Sequence, residues 1–329
     1  MTKKNNNKLA ETLAQITTAI EAADYNNALL LYSKVYTYWP EFLSPPIGLP
    51  LSKSQATHIH NVGNLARRDL FIKTQSIGSS DRLRKAVKMF CGAEHKLFDK
   101  TLQSPSFLFV PNLPSTPFID INSVKGLDSY VEALSVHKHE FISLLTHANE
   151  RYIHDKGDVP HTDEWIQLAQ KWNSLHLIKG GKLTDHGLKL PSEIKKLFNS
   201  PILAHCPPHA PEVVISVLQP NTLIPPHFGI SNIKWTLHIP LVVNNKSYLS
   251  VANERVYWKK DTTAILFDDS YQHSAENGDK TARAVLIIDI WNPHLTLGER
   301  GDVTRFIREY SEWSSQYGAL AVLDRRLYK

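Results

Sequence analysis

Apolar positions near the start of the chain recur with helical spacing. Leu9, Leu13, Ile16 and Ile20 share one face. After the break Asp24-Tyr25-Asn26-Asn27, the residues Ala28, Leu29, Tyr32, Val35 and Tyr36 do the same, and Pro40 closes the pair. Pro45, Pro46 and Pro50 mark a loop over 42–54. Helical patterning returns over 55–103, broken at Gly78-Ser79-Ser80. Residues 104–122 are proline-rich and carry a short strand signal at 107–110. Helix signals follow at 126–153, with Tyr130, Leu134, Phe141, Leu144 and Leu145 on one face, and at 191–199. The carboxy-terminal half changes period. Residues 213–218, 234–243, 248–251, 263–267 and 283–291 are strand candidates separated by turn residues, and Asn277-Gly278 is a hairpin signal. Short antiparallel strands in series predict an α+β chain with a jelly-roll or cupin-like barrel. A small helical domain over 1–105 is expected to precede a β-rich domain over 106–329.

Composition narrows the picture. The 329 residues, 42% of them hydrophobic, suffice for one large core and a smaller one. Two cysteines, Cys91 and Cys206, are too few for a disulfide framework and point to a reducing compartment. The polar start MTKKNNNKLAETLAQ has no apolar signal-peptide core, and no stretch approaches the ~18 apolar residues of a membrane span. A cytoplasmic protein is expected. The formal net charge is +5. Its lysines and arginines are scattered, without the aromatic-interleaved basic stripe of a nucleic-acid surface.

The candidate chemistry lies in the strand-rich half. His227 follows Pro225-Pro226 and precedes Phe228-Gly229; His273 ends Asp268-Asp269-Ser270-Tyr271-Gln272-His273; Arg283 opens the last strand candidate. Two histidines at strand ends, followed by an arginine on the next strand, match the layout of a non-haem iron, 2-oxoglutarate-dependent oxygenase. Imidazole suits iron, and oxygen activation needs open coordination positions. Four segments carry a closer resemblance: PHFGISN (226–232), HIPL (238–241), FDDSYQH (267–273) and RAVLIIDIWNPHLT (283–296). Together they resemble the aspartyl/asparaginyl β-hydroxylase family, densely from about residue 212 to residue 300. The first helix pair resembles one tetratricopeptide unit, a helical region that could also dock a protein partner.

The resemblance implies a double-stranded β-helix catalytic domain. It implies Fe(II) held by His227 and His273, with water completing the sphere because Gly229 offers no oxygen. It implies O2 and 2-oxoglutarate as cosubstrates, with Arg283 on the distal carboxylate. Ser216 stands where the family has a serine on that carboxylate, and His238 matches a family histidine near the cosubstrate. Trp165 and Gln167 resemble a Trp-x-Gln segment lining the cleft. Lys234 and Thr236 stand where animal members carry carboxylate-binding arginines, so Lys234 is assigned to the cosubstrate and Thr236 to the substrate. Lysine lacks the bidentate fork of arginine. Recognition of an aspartyl side chain is therefore not expected. The implied reaction hydroxylates an unactivated C–H bond of an amino acid, peptidyl residue or small metabolite, giving succinate and carbon dioxide. Two alternatives remain open: a halogenase with chloride in the vacant coordination place, and a non-catalytic cupin-like binding or interaction protein. Asp268 and Asp269 are read as shaping the turn before His273. His205, Cys206 and His209 mimic a metal site, but their proline-rich setting argues against one.

Overall fold

A computed structural model describes residues 3–46, 49–95, 102–152 and 162–328. The chain groups into two compact units. One comprises Met1–Ile77, Val87–His95 and Arg308–Lys329; the other comprises Gly78–Ala86 and Lys96–Ile307. A single cut at 105/106 would not assign residues 308–329 to the first unit.

The first unit contains α1 (Lys3–Glu21), α2 (Tyr25–Tyr38), α3 (Pro40–Leu43) and α4 (Lys53–Thr74). Asp24 caps α2, its side chain accepting from the Asn27 N–H, and a reciprocal Ser52–Gln55 capping box starts α4. The predicted apolar stripes of α1 and α2 bury Ile16, Ala28, Tyr32 and Val35 wholly, and α4 adds Val62 and Ala66. A carboxy-terminal 3-10 segment, Leu320–Tyr328, packs on α4. There Asp324 accepts two hydrogen bonds from the Arg67 guanidinium, at 3.0 and 2.6 Å. A side chain at Gly63 would collide with that carboxylate at 2.7 Å, so α4 needs glycine at the contact. The helices α5 (Asp81–Phe90) and α11 (Leu297–Tyr317) contribute residues to both units.

The second unit is built on antiparallel strands. In chain order these are β1 (Phe118–Ile119), β2 (Glu150–Arg151), β3 (Trp172–Lys179), β4 (Lys182–Leu183), β5 (Val213–Leu218), β6 (Thr222–His227), β7 (Lys234–Val242), β8 (Ser247–Val251), β9 (Glu254–Tyr257), β10 (Ile265–Phe267), β11 (His273–Asn277) and β12 (Arg283–Trp291). Eight form one sheet, ordered β1-β10-β7-β12-β5-β3-β2, with β4 also on β3; four form a second, ordered β6-β11-β8-β9. The helices are α6 (Leu127–Val136), α7 (Lys138–Ser143), α8 (Asp163–Leu168), α9 (Asp185–Leu188) and α10 (Ser192–Phe198).

Alternation along the strands makes two cores. Ile215, Leu237, Leu286 and Ile288 face outward from the larger sheet and pack with Leu134, Phe141, Ile194 and Phe198 from the helices. Val214, Leu218, Val285 and Ile287 face the other way and meet Ile224, Leu249, Val251 and Ala275 of the smaller sheet. All nine residues of β12 are buried. Covering both faces of a strand yields such continuous apolar runs.

Several local expectations are corrected. Residues 107–110 form no strand. They are a loop pinned by Phe107 N–H to Ile230 O and by reciprocal bonds between the Val110 backbone and the Asn232 amide. The helical stretch 126–153 is, up to residue 152, two short helices and a 3-10 turn ending at β2, and residue 153 lies outside the described residues. Asn277-Gly278 is not a hairpin, because β11 pairs with β6 and β8 while β12 lies in the other sheet. The Asn277 amide instead donates to Leu218 O, Gln219 O and Thr281 O at this crossover. The end of the helical signal at 55–103 includes 96–101, outside the described residues. Among the described residues, no helix is long and apolar enough to cross a membrane.

Candidate metal and anion site

The strand β6 lies at an edge of the smaller sheet, which is where a strand can carry Pro225 and Pro226 without losing ladder hydrogen bonds. His227 ends it. His273 opens β11 directly opposite, in register with His227, and the two ring centroids are 4.1 Å apart. Each Nδ1 bonds a carbonyl two residues upstream: Pro225 O at 2.8 Å for His227, and Tyr271 O at 2.9 Å for His273. A carbonyl only accepts, so each Nδ1 must carry the hydrogen and each Nε2 keeps a free lone pair. This is how proteins orient metal-binding imidazoles. Desolvation, the largest cause in both cases, lowers the pKa of His227 to about 3 and of His273 to about 4. Both rings are therefore neutral, as ligands must be. Trp165 on α8 packs edge-on against His227 at 5.8 Å. Among the described residues, no third His, Cys, Asp or Glu joins them in a group able to hold a metal.

Gly229 has a steric role that its side-chain chemistry could not reveal. A Cβ there would lie 2.5–2.7 Å from the Asp269 carboxylate. The backbone fixes that approach, since Gly229 N–H donates to Asp269 O at 2.7 Å. Asp269 Oδ1 is buried and without a hydrogen-bond partner among the described residues, and Oδ2 lies 3.5 Å from Lys234 Nζ. Asp268 does shape the turn: it accepts from the Ser270 N–H and the Ser115 hydroxyl, while burial raises its pKa to about 6.

Inward-facing residues continue the site along β7, β5 and β12. Lys234 Nζ donates to Asp289 Oδ1 at 2.6 Å. Burial pulls the Lys234 pKa down, but Asp269 and Asp289 outweigh it and hold the ammonium charged. The other Asp289 oxygen accepts from the Glu212 N–H at 3.0 Å. Glu212 itself is raised to about 7, chiefly by burial. Thr236 Oγ1 is buried and unpartnered among the described residues. The hydroxyl of Ser216 accepts from Trp172 Nε1 at 2.9 Å. His238 lies between Phe267 and Trp258, its pKa well below the ordinary value through desolvation first and the Arg283 charge second.

Arg283 opens β12 and is 1% exposed. Among the described residues, its Nε and Nη2 have no hydrogen-bond partner. Desolvation lowers its pKa to about 10, which leaves it charged at neutral pH. A buried, charged, unsatisfied guanidinium is suited to pairing with a planar anion. The predicted residues His227, His273, Arg283, Ser216, His238, Lys234, Thr236 and Trp165 thus share one interior. Gln167 does not join them, being exposed on α8. Cys206 is buried and His205 Nε2 bonds Ser200 O, and among the described residues the two form no metal-holding group. Sequence reasoning missed Trp258 and Asp289. Asp289 was findable as the lone carboxylate within the apolar run 283–291; nothing local marks Trp258.

The antiparallel two-sheet barrel thus gathers the histidine pair and the buried arginine in one interior. Residues 133–293 match the profile of the aspartyl/asparaginyl β-hydroxylase family, and this part of the chain belongs to that family. Human aspartate β-hydroxylase domain-containing protein 2 is 27% identical over 210 residues, covering 61% of this chain and 54% of that protein. Mouse aspartyl/asparaginyl β-hydroxylase is 30% identical over 147 residues, 44% of this chain and 19% of its own. The ornithine lipid ester-linked acyl 2-hydroxylase of Rhizobium tropici is 26% identical over 179 residues, covering 50% and 61%. The chain therefore spans about half the length of the human relative. Among solved structures, a 2OG-Fe(II) oxygenase family protein from Burkholderia pseudomallei is similar at 10% identity over 47% of this chain and 77% of its own, with a TM-score of 0.29.

Proposed function

We propose that the chain is an Fe(II)- and 2-oxoglutarate-dependent oxygenase on a double-stranded β-helix, hydroxylating an unactivated C–H bond. Membership of a hydroxylase family supports the reaction class. The observation that carries the cofactor assignment is Arg283, a buried cation with unpaired donors in the same interior as two imidazoles with free Nε2 atoms. The residues fit the group: the histidine pair would hold iron, and Arg283 and Ser216 the distal carboxylate of the keto acid. Bound there, iron and 2-oxoglutarate would supply oxidation of the C–H bond, with succinate and carbon dioxide as coproducts. The chain's own residues bind and orient. The Pro225 and Tyr271 carbonyls keep the imidazoles turned, and the tryptophans and aliphatic residues of the inner core exclude water. Hydroxylation is favoured over halogenation because the Asp269 carboxylate fills the space beside Gly229, where a negative charge repels chloride.

The substrate is read as an amino acid, peptidyl residue or small metabolite without an acidic side chain at the reacting position. The supporting observation is that Lys234 is already committed to Asp289 and Asp269, and Thr236 carries no charge. The test supplies Fe(II), ascorbate and 2-oxoglutarate with a panel of free, peptidyl and lipid-linked substrates. Succinate release and a gain of one oxygen by mass are the readouts. Both should vanish in His227→Ala and His273→Ala with the circular dichroism unchanged. Full succinate release in either variant would refute the assignment, and efficient turnover of an aspartyl peptide alone would refute the substrate reading.

A further inference from the structure

Trp258 lies in the connection between β9 and β10 and has no exposed surface. Its backbone N–H donates to Ser247 O at 3.0 Å, fixing it against the start of β8. Its ring lies 6.0 Å from the Arg283 guanidinium carbon and nearly parallel to the His238 ring, at 6.4 Å and 13°. Among the described residues, Trp258 Nε1 has no hydrogen-bond partner, and neither do Arg283 Nε and Nη2 or His238 Nδ1.

A buried indole N–H normally finds a partner. Indole and guanidinium both donate and never accept, so neither can satisfy the other. Two unsatisfied donor-only groups at one place require an acceptor, and beside a buried cation the acceptor is an anion. Of the interior carboxylates, Asp289 cannot serve, because its oxygens are taken by Lys234 and the Glu212 N–H, and Asp269 is held against Gly229 and Lys234.

We propose that Trp258 is a specificity-determining residue of this pocket, its indole N–H a second donor, beside Arg283, to the distal carboxylate of the dicarboxylate cosubstrate. The inference rests on the proposed 2-oxoglutarate dependence. A keto acid without the distal carboxylate would leave both donors buried and unpaired. Trp258 and Arg283 together therefore set the preference for a dicarboxylate over a monocarboxylate.

Trp258→Phe keeps a ring and removes only the N–H. Calorimetric titration of the full chain, loaded with Zn(II) in place of iron, should show 2-oxoglutarate binding weakened about 10- to 100-fold. Pyruvate binding should change little, so the ratio of the two affinities falls by a similar factor. Circular dichroism checks that the variant is folded. A second measurement needs no variant: in the 15N-labelled wild type, a slowly exchanging indole resonance should shift on adding 2-oxoglutarate but not pyruvate. Wild-type affinity in folded Trp258→Phe, with binding lost in Arg283→Ala, would overturn the role of Trp258 alone. An unmoved set of indole resonances at saturating 2-oxoglutarate would also overturn it. A wild-type protein that binds no 2-oxoglutarate with metal present would overturn this inference together with the reading beneath it.

Discussion

Replacing Arg283 by methionine should make the ligand-free protein more stable, not less. Burial lowers the guanidinium pKa from 12.5 to about 10, which amounts to about 3 kcal/mol of instability in the charged folded state. The sign follows from linkage. The folded-state pKa lies below the unfolded value, so the penalty is fully present below about pH 10 and fades as pH rises from there toward 12.5. Methionine retains an unbranched apolar stem and carries no charge. Allowing about 1 kcal/mol for imperfect packing, the net gain is about 2 kcal/mol, or about 4–8 °C in melting temperature. The ligand response should move the other way. At a hundredfold excess over its dissociation constant, 2-oxoglutarate stabilises the wild type by about 2.7 kcal/mol. Loss of the bidentate partner weakens binding by about two to three orders of magnitude, leaving at most about 0.4 kcal/mol at the same concentration. Scanning fluorimetry at pH 7.5, with fixed Zn(II) and with and without 2-oxoglutarate, reads both effects. A destabilised variant that keeps the full ligand-induced shift would refute the reasoning.

Three further outcomes follow from the geometry. Gly229→Ala should cost about 1–3 kcal/mol by forcing the Asp269 carboxylate away, and Asp269→Gly in the same chain should recover most of it; equal melting of Gly229→Ala and wild type would contradict the contact. Lys234→Met should cost about 3–5 kcal/mol by leaving Asp289 buried without its cation, while 2-oxoglutarate affinity stays within about threefold; a large loss of affinity would return Lys234 to the cosubstrate. Glu212 is more readily protonated in the folded state, with a pKa of about 7 against 4.5, so its contribution to stability declines as pH rises from 4.5 to 7; Glu212→Gln should remove that slope in chemical denaturation at stepped pH, and an unchanged slope would count against it.

The five strands read in the carboxy-terminal half all exist, because they are buried on both faces or alternate cleanly, whereas the one read at 107–110 does not. The two strands that carry the histidines were invisible to that reading. β6 contains Pro225 and Pro226, which argue against a strand unless it is at an edge, and His273-Ser274-Ala275-Glu276-Asn277 has no apolar run. Their pairing is a tertiary fact, held by β8 on one side and by the crossover at Asn277. The histidines and Arg283 could still be picked out, since their family context lies in contiguous residues. Trp258 and the Gly229–Asp269 contact could not, because each depends on segments far apart in the chain. The ion pair of Lys234 was hidden for the same reason: its partner Asp289 is a neighbour across the sheet, not along the sequence.

The register that sets His227 opposite His273 makes the geometry of the imidazole pair independent of the lengths of the loops between them. Both rings are fixed by carbonyls within their own strand ends, and the strands by direct pairing. The connections around Asn244–Lys246 and Lys259–Ala264 can therefore lengthen or change composition at the modest entropic cost of a longer loop, without altering the distance between the imidazoles. Selection can then act on these loops while the histidine pair stays in place.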